Sequence, residues 1–263
     1  MHTALTIAGS DSGGGAGIQA DLKTFAAHGV YGMSAITAVT AQNTLGVVDW
    51  VALSADFVTA QIEAVVEDIG VEAVKTGMLA NAAIVEAVVA AVKSLDLPQL
   101  VVDPVMVAKG GDRLLDAEAV QAIRTELLPL AHVVTPNIPE AEVLTDMRIA
   151  SLDDMREAGR RIVALGPRVV LVKGGHLPGP ESIDVAVTRD ASVELRGPRF
   201  PTQHTHGTGC TLASAIAARL ASGTNDMEAI AAAREYVEGA IRHAPGLGKG
   251  HGPLAHFWRG VYL

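Results

Sequence analysis

Residues 206–210, His-Gly-Thr-Gly-Cys, combine groups that could bind an anion and move a proton. Gly207 and Gly209 allow backbone N–H groups to approach a ligand closely, and we predict that Thr208 caps the helix that follows. The first turn of a helix has unpaired N–H groups and the positive end of the helix dipole, so it attracts phosphate. Cys210 is the only cysteine of the chain, and a helix start is expected to lower its thiol pKa. The alternative is a simple helix cap that contains a buried cysteine.

Ligand-type residues also lie at the ends of the apolar stretches that the sequence pattern predicts as strands. Those strands cover residues 31–41, 73–78, 99–102, 131–135 and 168–173, and the residues at or just after their ends are Gln42, Met78, Asp103, Asn137 with Glu140, and Lys173. In open α/β sheets, ligands bind at the carboxyl ends of the strands, which share one edge. We therefore expect these side chains to converge on the turn at residues 207–210.

The chemistry of this set is that of phosphoryl transfer. Asp103 and Glu140 are hard oxygen ligands suited to Mg²⁺, and the Lys173 ammonium is a point charge suited to phosphate. A metal, a lysine and a backbone cradle supply the positioning and charge neutralisation on which this reaction depends. Each residue also has a structural alternative: Asp103 could end a strand, Asn137 and Glu140 could cap a helix, and Lys173 could lie on the surface.

A glycine-rich loop at residues 10–17 follows a predicted strand at residues 4–8 and precedes a predicted helix at residues 18–28. Strand, glycine loop and helix in this order are how α/β folds present ligand loops. The loop does not match the dinucleotide fingerprint, because Ile18 occupies the third glycine position, and the chain has no Walker A sequence. A flexible connector is the structural alternative.

Strands alternate with helices along the chain at intervals of roughly 25–35 residues, which indicates a mainly parallel sheet. We predict one α/β domain over residues 1–263, with a sheet of about eight strands and helices on both faces. A mobile loop is predicted at residues 107–112. The helix predicted at residues 55–69 is expected to bury Phe57, Ile62, Val65 and Val66.

Composition excludes several classes of function. A formal net charge of −9 over 263 residues disfavours nucleic acid as a partner, because binding to a phosphate backbone needs basic patches. A 49% share of hydrophobic residues disfavours disorder. One cysteine cannot form an internal disulfide, which fits a reducing cytoplasm. No apolar run reaches membrane-span length and the start of the chain has no targeting signal, so we expect no membrane partner.

The sequence closely resembles the hydroxymethylpyrimidine/phosphomethylpyrimidine kinases of thiamin biosynthesis, which belong to the ribokinase-like superfamily. The resemblance rests on five motifs that span nearly the whole chain in the family's order. They are AGSDSGGGAGIQAD at residues 8–21, TAQNT at 40–44, DPVM at 103–106, TPNIPE at 135–140 and HGTGC at 206–210. The first and last motifs are specific, whereas Asn-x-x-Glu is common to the superfamily.

The resemblance implies a ribokinase-like α/β fold and a kinase that uses ATP and Mg²⁺. Its substrates would be 4-amino-5-hydroxymethyl-2-methylpyrimidine and then the monophosphate of that alcohol, and its assembly would be a homodimer. The positions that match residues around the pyrimidine are Asp21, Gln42, Met78, Val105 and Cys210. The positions that match the metal and nucleotide end are Asp103, Asn137, Glu140, Lys173, Thr208 and Gly209.

The general base and the preferred substrate stay open at this point. The resemblance assigns catalysis to Lys173, Cys210 and residues 207–209, but many relatives in the superfamily have Asp where this chain has Cys210. The alcohol proton could go to a thiolate, to the γ-phosphate or to water. The nearest rival is a kinase for pyridoxal or pyridoxine, or a bifunctional enzyme that accepts both rings. Gln42 favours the pyrimidine, because its amide can both donate to and accept from an aminopyrimidine edge.

Two other classes of protein have to be weighed against a kinase. A non-catalytic sensor on the same fold would be expected to lack the cysteine or the Mg²⁺ carboxylates, and this chain has both. A cysteine hydrolase or a zinc site would use His204 and His206. The sequence offers the hydrolase no distinct acid partner and offers the zinc site no further nearby ligands.

Overall fold

The computed structural model describes residues 1–106 and 115–260. The strands are β1 (Thr3–Asp11), β2 (Tyr31–Asn43), β3 (Gly46–Ala52), β4 (Ala73–Thr76), β5 (Leu100–Val102), β6 (Val133–Val134), β7 (Val169–Val172), β8 (Glu181–Val187) and β9 (Ser192–Pro198). Within the described residues they form one sheet in the order β3-β2-β1-β4-β5-β6-β7-β8-β9. The predicted loop at residues 107–112 lies outside the described residues.

The strand directions explain why one edge of the sheet can hold a site. β1, β2, β4, β5, β6 and β7 run parallel, so their carboxyl ends share an edge. The antiparallel strands lie outside this group: β3 pairs with β2, and β8 and β9 form a hairpin beside β7. The predicted mostly parallel sheet is confirmed, with nine strands in place of about eight.

The helices are α1 (Gly17–Ala27), α2 (Ala55–Asp68), α3 (Ala82–Ser94), α4 (Ala117–Ala122), α5 (Ile138–Thr145), α6 (Leu152–Val163), α7 (Thr208–Ala221) and α8 (Asp226–Arg242). Polar side chains fix most helix starts by accepting a backbone N–H of the first turn; they belong to Ser54, Asn81, Asp116, Asn137, Ser151 and Asn225. None of these helices is long and apolar enough to cross a membrane.

Helices cover both faces of the sheet, and the alternation of side chains along the strands separates two cores. Ala73 and Val101 face the layer of α1, α7 and α8, whereas their neighbours Val74 and Val102 face the layer of α2 to α6. Successive side chains of a strand point to opposite faces, so strands buried on both faces are apolar throughout. A charged residue inside a central strand is therefore an exception to this pattern.

The buried face of α2 differs from the prediction at one position. Ile62 is fully buried, but Phe57 exposes 57% of its surface, so its expected inward position is wrong. Val58 is the buried residue of that turn, and its spacing to Ile62 and to the partly buried Val65 and Val66 follows one helix face. Phe57 is one residue before Val58 and is therefore rotated by about 100° away from the core.

We predict that Ile62→Ala lowers the free energy of unfolding by roughly 2–5 kcal/mol, because it opens a cavity in a closed core. Phe57→Ala on the same helix is the matched control, and it should cost less than about 1 kcal/mol because the ring is largely exposed. Denaturant unfolding of both variants measures the difference. Equal losses would contradict the assigned helix face.

Candidate active site

A cavity of about 850 Å³ lies at the edge where the parallel strands end. Its lining includes every predicted site residue except Asp21, namely Gln42, Met78, Asp103, Val105, Asn137, Glu140, Lys173, Gly207, Thr208, Gly209 and Cys210. These residues come from the ends of five strands and from the start of α7. The order of the strands, rather than local sequence, brings them together.

Lys173 lies between the two acidic side chains of the cavity. Its Nζ atom is 2.9 Å from Asp103 Oδ1 and 4.0 Å from Glu140 Oε2, and the Thr135 hydroxyl donates to the same Asp103 oxygen. Burial would lower the pKa of Lys173, but Asp103 and Glu140 outweigh burial and raise it. Burial raises the pKa of Glu140; Lys173 opposes this shift and Asp103 reinforces it. Lys173 is therefore a largely enclosed cation, 14% exposed, rather than a surface charge.

The two acids fit a metal that arrives with a nucleotide. Mg²⁺ commonly uses one or two protein carboxylates together with substrate phosphates and water, and Asp103 and Glu140 supply the oxygen donors that it prefers. Across residues 1–106 and 115–260, no group of three His, Cys, Asp or Glu side chains is arranged to hold a metal ion. His204 and His206 accordingly do not build a zinc site with other described ligands.

Asn137 and Glu140 form both halves of a capping box at the start of α5. Asn137 Oδ1 accepts the Glu140 N–H at 2.9 Å, and Glu140 Oε2 accepts the Asn137 N–H at 2.7 Å. Pro139 lies in the first turn of this helix, where the missing N–H of proline costs no hydrogen bond. Asn137 and Glu140 therefore do cap a helix, which was their structural alternative, and both also line the cavity. The cap holds Glu140 in place beside Lys173.

The turn before α7 differs from the predicted cap. The capping position is Gly207, in the left-handed region at φ 80°, and no side chain caps the helix. The Thr208 hydroxyl instead donates to the Thr205 carbonyl at 2.7 Å, so its assignment as the cap is wrong. A Cβ on Gly207 would lie 1.9 Å from the carbonyl oxygen of Gly15. Glycine is required here because the loop at residues 10–17 packs directly against the turn.

Asp11 joins the glycine-rich loop to the start of α7, a role that the sequence reading missed. Its carboxylate accepts N–H bonds from Gly13 at 2.8 Å, Gly15 at 3.0 Å and Ala16 at 2.8 Å, and Oδ2 lies 2.8 Å from His206 Nε2. Burial opposes ionisation of Asp11, but the bonds from His206, Ala16 and Gly13 outweigh it and lower the pKa. The loop is therefore a fixed wall of the cavity and not a flexible connector.

Gln42 lies at the β2 end of the cavity. The Thr40 hydroxyl donates to the Ser10 carbonyl at 2.8 Å and lies 3.2 Å from Gln42 Oε1, and Gln42 Nε2 lies 3.4 Å from His206 Nε2. Met78 and Val105 line the same cavity with apolar atoms. This end therefore offers one amide edge beside an apolar surface, which suits a flat ring that carries polar edge groups.

The Cys210 thiol is not activated in this arrangement. Burial raises its pKa to about 11; Lys75 opposes the shift, whereas Asp21 and Asp103 reinforce it. The expected lowering of this pKa is therefore wrong, because lost hydration and nearby carboxylates outweigh Lys75 and the backbone bond from Gly17. The thiol is protonated at neutral pH. His206 pairs with Asp11 rather than with Cys210, which disfavours it as the imidazole of the hydrolase alternative.

Asp21 is the predicted site residue that does not reach the cavity. Its side chain is fully buried, and its oxygens accept bonds from Thr6 Oγ1 at 2.6 Å, Lys75 Nζ at 2.8 Å and Ser214 Oγ at 2.6 Å. Direct contact with a ring substrate is closed to Asp21, because these donors lie around it behind the cavity wall. The expected pyrimidine contact is corrected accordingly. Lys75, which the sequence reading did not single out, is also fully buried and lies just beneath the cavity.

The cavity extends past β7 to the β8–β9 side of the sheet. There it is lined by Arg199, Phe200, Arg234, Val237 and Ile241. The Arg199 guanidinium donates to the carbonyls of Gly175, Leu177, Gly179 and Glu181 and so fixes the loop after β7. The sequence reading missed these residues because they belong to none of the motifs that it used.

Comparison with known proteins assigns this architecture to a family. The phosphomethylpyrimidine kinase family matches residues 11–255. A hydroxymethylpyrimidine/phosphomethylpyrimidine kinase of Streptomyces coelicolor is 52% identical over 97% of this chain and 94% of that protein. The chain belongs to the phosphomethylpyrimidine kinase family. The predicted assignment as a hydroxymethylpyrimidine/phosphomethylpyrimidine kinase of thiamin biosynthesis is confirmed.

Solved structures confirm the ribokinase-like fold. A phosphomethylpyrimidine kinase from Clostridium difficile is 47% identical, with a TM-score of 0.82 over 92% of this chain and all of that one. A pyridoxal kinase from Bacillus subtilis, solved with ADP, is 41% identical, with a TM-score of 0.90 over 97% of both chains. Enzymes named for two different ring substrates thus share this backbone.

Proposed function

We propose that the cavity holds the pyrimidine alcohol at its β2–β4 end and ATP at its β8–β9 end, with transfer of the phosphoryl group between them. The observation that carries this proposal lies at Gly209, where an added Cβ would be 3.2 Å from Lys173 Nζ and 3.4 Å from Asp103 Oδ2. An ammonium, a carboxylate and an uncapped helix start meet at this point. Phosphoryl transfer is catalysed mainly by such positioning and charge neutralisation.

Gln42 is the residue that we propose to read the pyrimidine edge, beside Met78 and Val105. Its amide lies beside the Thr40 hydroxyl and His206 at this end of the cavity, with polar atoms that can meet a substrate edge. Asp21 does not contact the substrate in this proposal; it holds Lys75 and Ser214, which lie beneath this end of the cavity. The substrates are hydroxymethylpyrimidine and then its monophosphate, both of which carry the aminopyrimidine edge.

We expect ATP consumption to be faster with hydroxymethylpyrimidine and its monophosphate than with pyridoxal, because only the aminopyrimidines match the Gln42 amide. Gln42→Leu should weaken hydroxymethylpyrimidine binding by roughly 1–3 kcal/mol, since a polar group of the substrate loses its partner. Titration calorimetry gives the affinities, and Gln42→Glu controls for side-chain shape. A higher kcat/KM for pyridoxal would favour the rival assignment, and equal affinity of the Leu variant would exclude the role of Gln42.

The phosphates are proposed to bind at Lys173, Asn137 and the backbone of residues 207–209, where Thr208 and Gly209 begin α7. Asp103 and Glu140 would hold Mg²⁺, which neutralises phosphate charge when it is bound. Lys173 balances the two carboxylates and so limits their mutual repulsion. The fixed loop after β7, with Arg199, is proposed to support the nucleotide.

Glu140→Gln should lower the rate at ordinary Mg²⁺ and recover part of it at high Mg²⁺, because the substitution removes a ligand charge but keeps the side-chain shape. The amide oxygen can still accept the Asn137 N–H, so α5 should keep its cap. Glu142→Gln on the same helix is the matched control, since Glu142 does not line the cavity. Initial rates over a Mg²⁺ series measure the effect, and an unchanged Mg²⁺ dependence would count against metal binding by Glu140.

Cys210 is proposed to act at the alcohol of the substrate, at the mouth of α7. Because its pKa is raised to about 11, the thiolate fraction grows as the pH rises above neutrality. A base of this kind would give a rate that increases with pH. The backbone N–H of residue 210 belongs to the anion cradle whatever the side chain is.

We predict that Cys210→Ala lowers kcat by roughly 10²-fold or more, within the range for a positioned base, with little change in KM for ATP. The variant loses the thiol but keeps the backbone N–H, so it distinguishes a base role of the side chain from anion binding by the backbone. Steady-state kinetics from neutral to alkaline pH measure both effects, and the rising limb should vanish in the variant. Near-normal kcat in the variant, with an unchanged rise of kcat with pH, would mean that only the backbone N–H of residue 210 contributes.

A homodimer and a cytoplasmic location complete the proposal, with one kinase domain over residues 1–263. The edge hairpin supports the dimer, because Val39 of β2 and Val51 of β3 are directly paired and both are exposed. Leu45 and Val48 expose further apolar surface beside them. A second copy would cover this edge strand, which otherwise presents unpaired backbone groups. A monomer mass by analytical ultracentrifugation would exclude the dimer.

A further inference from the structure

A fully buried ion pair lies under the cavity, between the sheet and the layer of α1 and α7. Lys75 is in the central strand β4, and its Nζ is 2.8 Å from Asp21 Oδ2 of α1, with both side chains at 0% exposure. On this face Lys75 is flanked by the apolar residues Ala73 and Val101, and its β1 neighbour is the buried Thr6. A lysine at such a position needs a physical reason.

Stability alone does not supply that reason. Taking two charges out of water is costly, and apolar residues of similar volume in place of a buried pair are often neutral or stabilising. The pair is instead built to hold one geometry. Thr6 and Ser214 donate to Asp21 from β1 and α7, so the carboxylate is fixed from both sides. The ammonium is fixed in turn, because Asp21 is its ion-pair partner.

The position of the ammonium is the second observation. A Cβ on Gly77 would lie 2.8 Å from Lys75 Nζ and 3.0 Å from the Ala8 Cβ, so the charge sits directly beneath the strand ends that form the cavity floor. Lys75 is among the residues around the cavity, although its side chain is closed off from solvent. Ser214 follows Cys210 by four residues on α7, and residues at this spacing share a helix face. Asp21 therefore fixes the Cys210 face of α7 relative to the ammonium.

We propose that Lys75 is a positioning residue of the transfer site: Asp21 holds its ammonium beneath Cys210, where it favours negative charge on the sulfur and on the substrate oxygen. The proposal rests on the proposed function for the location of transfer. The other charges near the thiol are Asp21, Asp103 and Lys173, and the last two already pair with each other. Lys75 thus supplies a positive charge from the sheet beneath the cavity, and Lys173 supplies a second positive charge next to Asp103.

The direction of the pKa shifts agrees with this geometry. Burial lowers the pKa of Lys75, but Asp21 and the other nearby anions outweigh burial and raise it, so the lysine stays charged. Lys75 is also the strongest influence that opposes the raised pKa of Cys210. The ammonium therefore acts on the thiol in the opposite sense to Asp21.

A thiol-alkylation experiment tests the proposal without any substrate. Cys210 is the only cysteine, so a neutral alkylating reagent at fixed pH reports on this sulfur alone. Lys75→Met removes the charge but keeps the chain length, and it should slow alkylation roughly 10-fold or more, the factor for one pKa unit. Asp21→Asn removes the partner that keeps this buried ammonium charged and in place, so it should not speed alkylation. The kcat of Lys75→Met should fall while KM for ATP stays near the wild-type value.

A purely structural role would give a different pattern. Loss of either partner would then loosen the site, and both single variants would speed alkylation, which would overturn the proposal. The double variant Lys75→Met/Asp21→Asn leaves no unpaired charge and covers the case in which a single variant does not fold. Its alkylation should remain slower than in the wild type, and a folded double variant with wild-type kcat and alkylation would overturn the proposal. Wild-type assays with hydroxymethylpyrimidine test the proposed function separately.

Discussion

The contact of Lys173 with Asp103 and Glu140 is the interaction on which the site depends. The three residues follow β7, β5 and β6, so the contact exists only because these strands are neighbours and run parallel. Two buried carboxylates at this spacing would repel each other without the ammonium. With it, the strand ends hold a balanced set of charges into which a metal and phosphates can enter.

The anion cradle depends on close backbone packing rather than on side chains. Gly207 and Gly15 approach so closely that no Cβ fits between them, and Asp11 fixes this approach through the loop amides and His206. The helix start is therefore uncapped and faces a wall that cannot move away easily. Preorganised N–H groups of this kind stabilise anionic charge without reorganisation during the reaction.

The comparison with pyridoxal kinase separates what the fold does from what the cavity wall does. A backbone that superposes with a TM-score of 0.90 is shared with an enzyme named for another ring substrate. The sheet edge, the lysine and the helix start can therefore serve any alcohol that is held at the right place. Discrimination between rings then has to come from side chains of the cavity wall, and Gln42, Met78 and Val105 are the ones that we propose for this role.

The sequence by itself determined the α/β class, helix caps such as Asn137, and a set of site residues that all line the cavity except Asp21, but not the residues on its β8–β9 side. Apolar strands followed by polar residues, and capping side chains such as Asn81 and Asn137, are local signals that need no tertiary information. The tertiary structure alone decided the environment of each group. The Cys210 pKa rises instead of falling, Asp21 is satisfied behind the wall, Thr208 is not the cap and Phe57 faces out. Burial and the identity of non-local neighbours set these properties, and both depend on how distant segments pack.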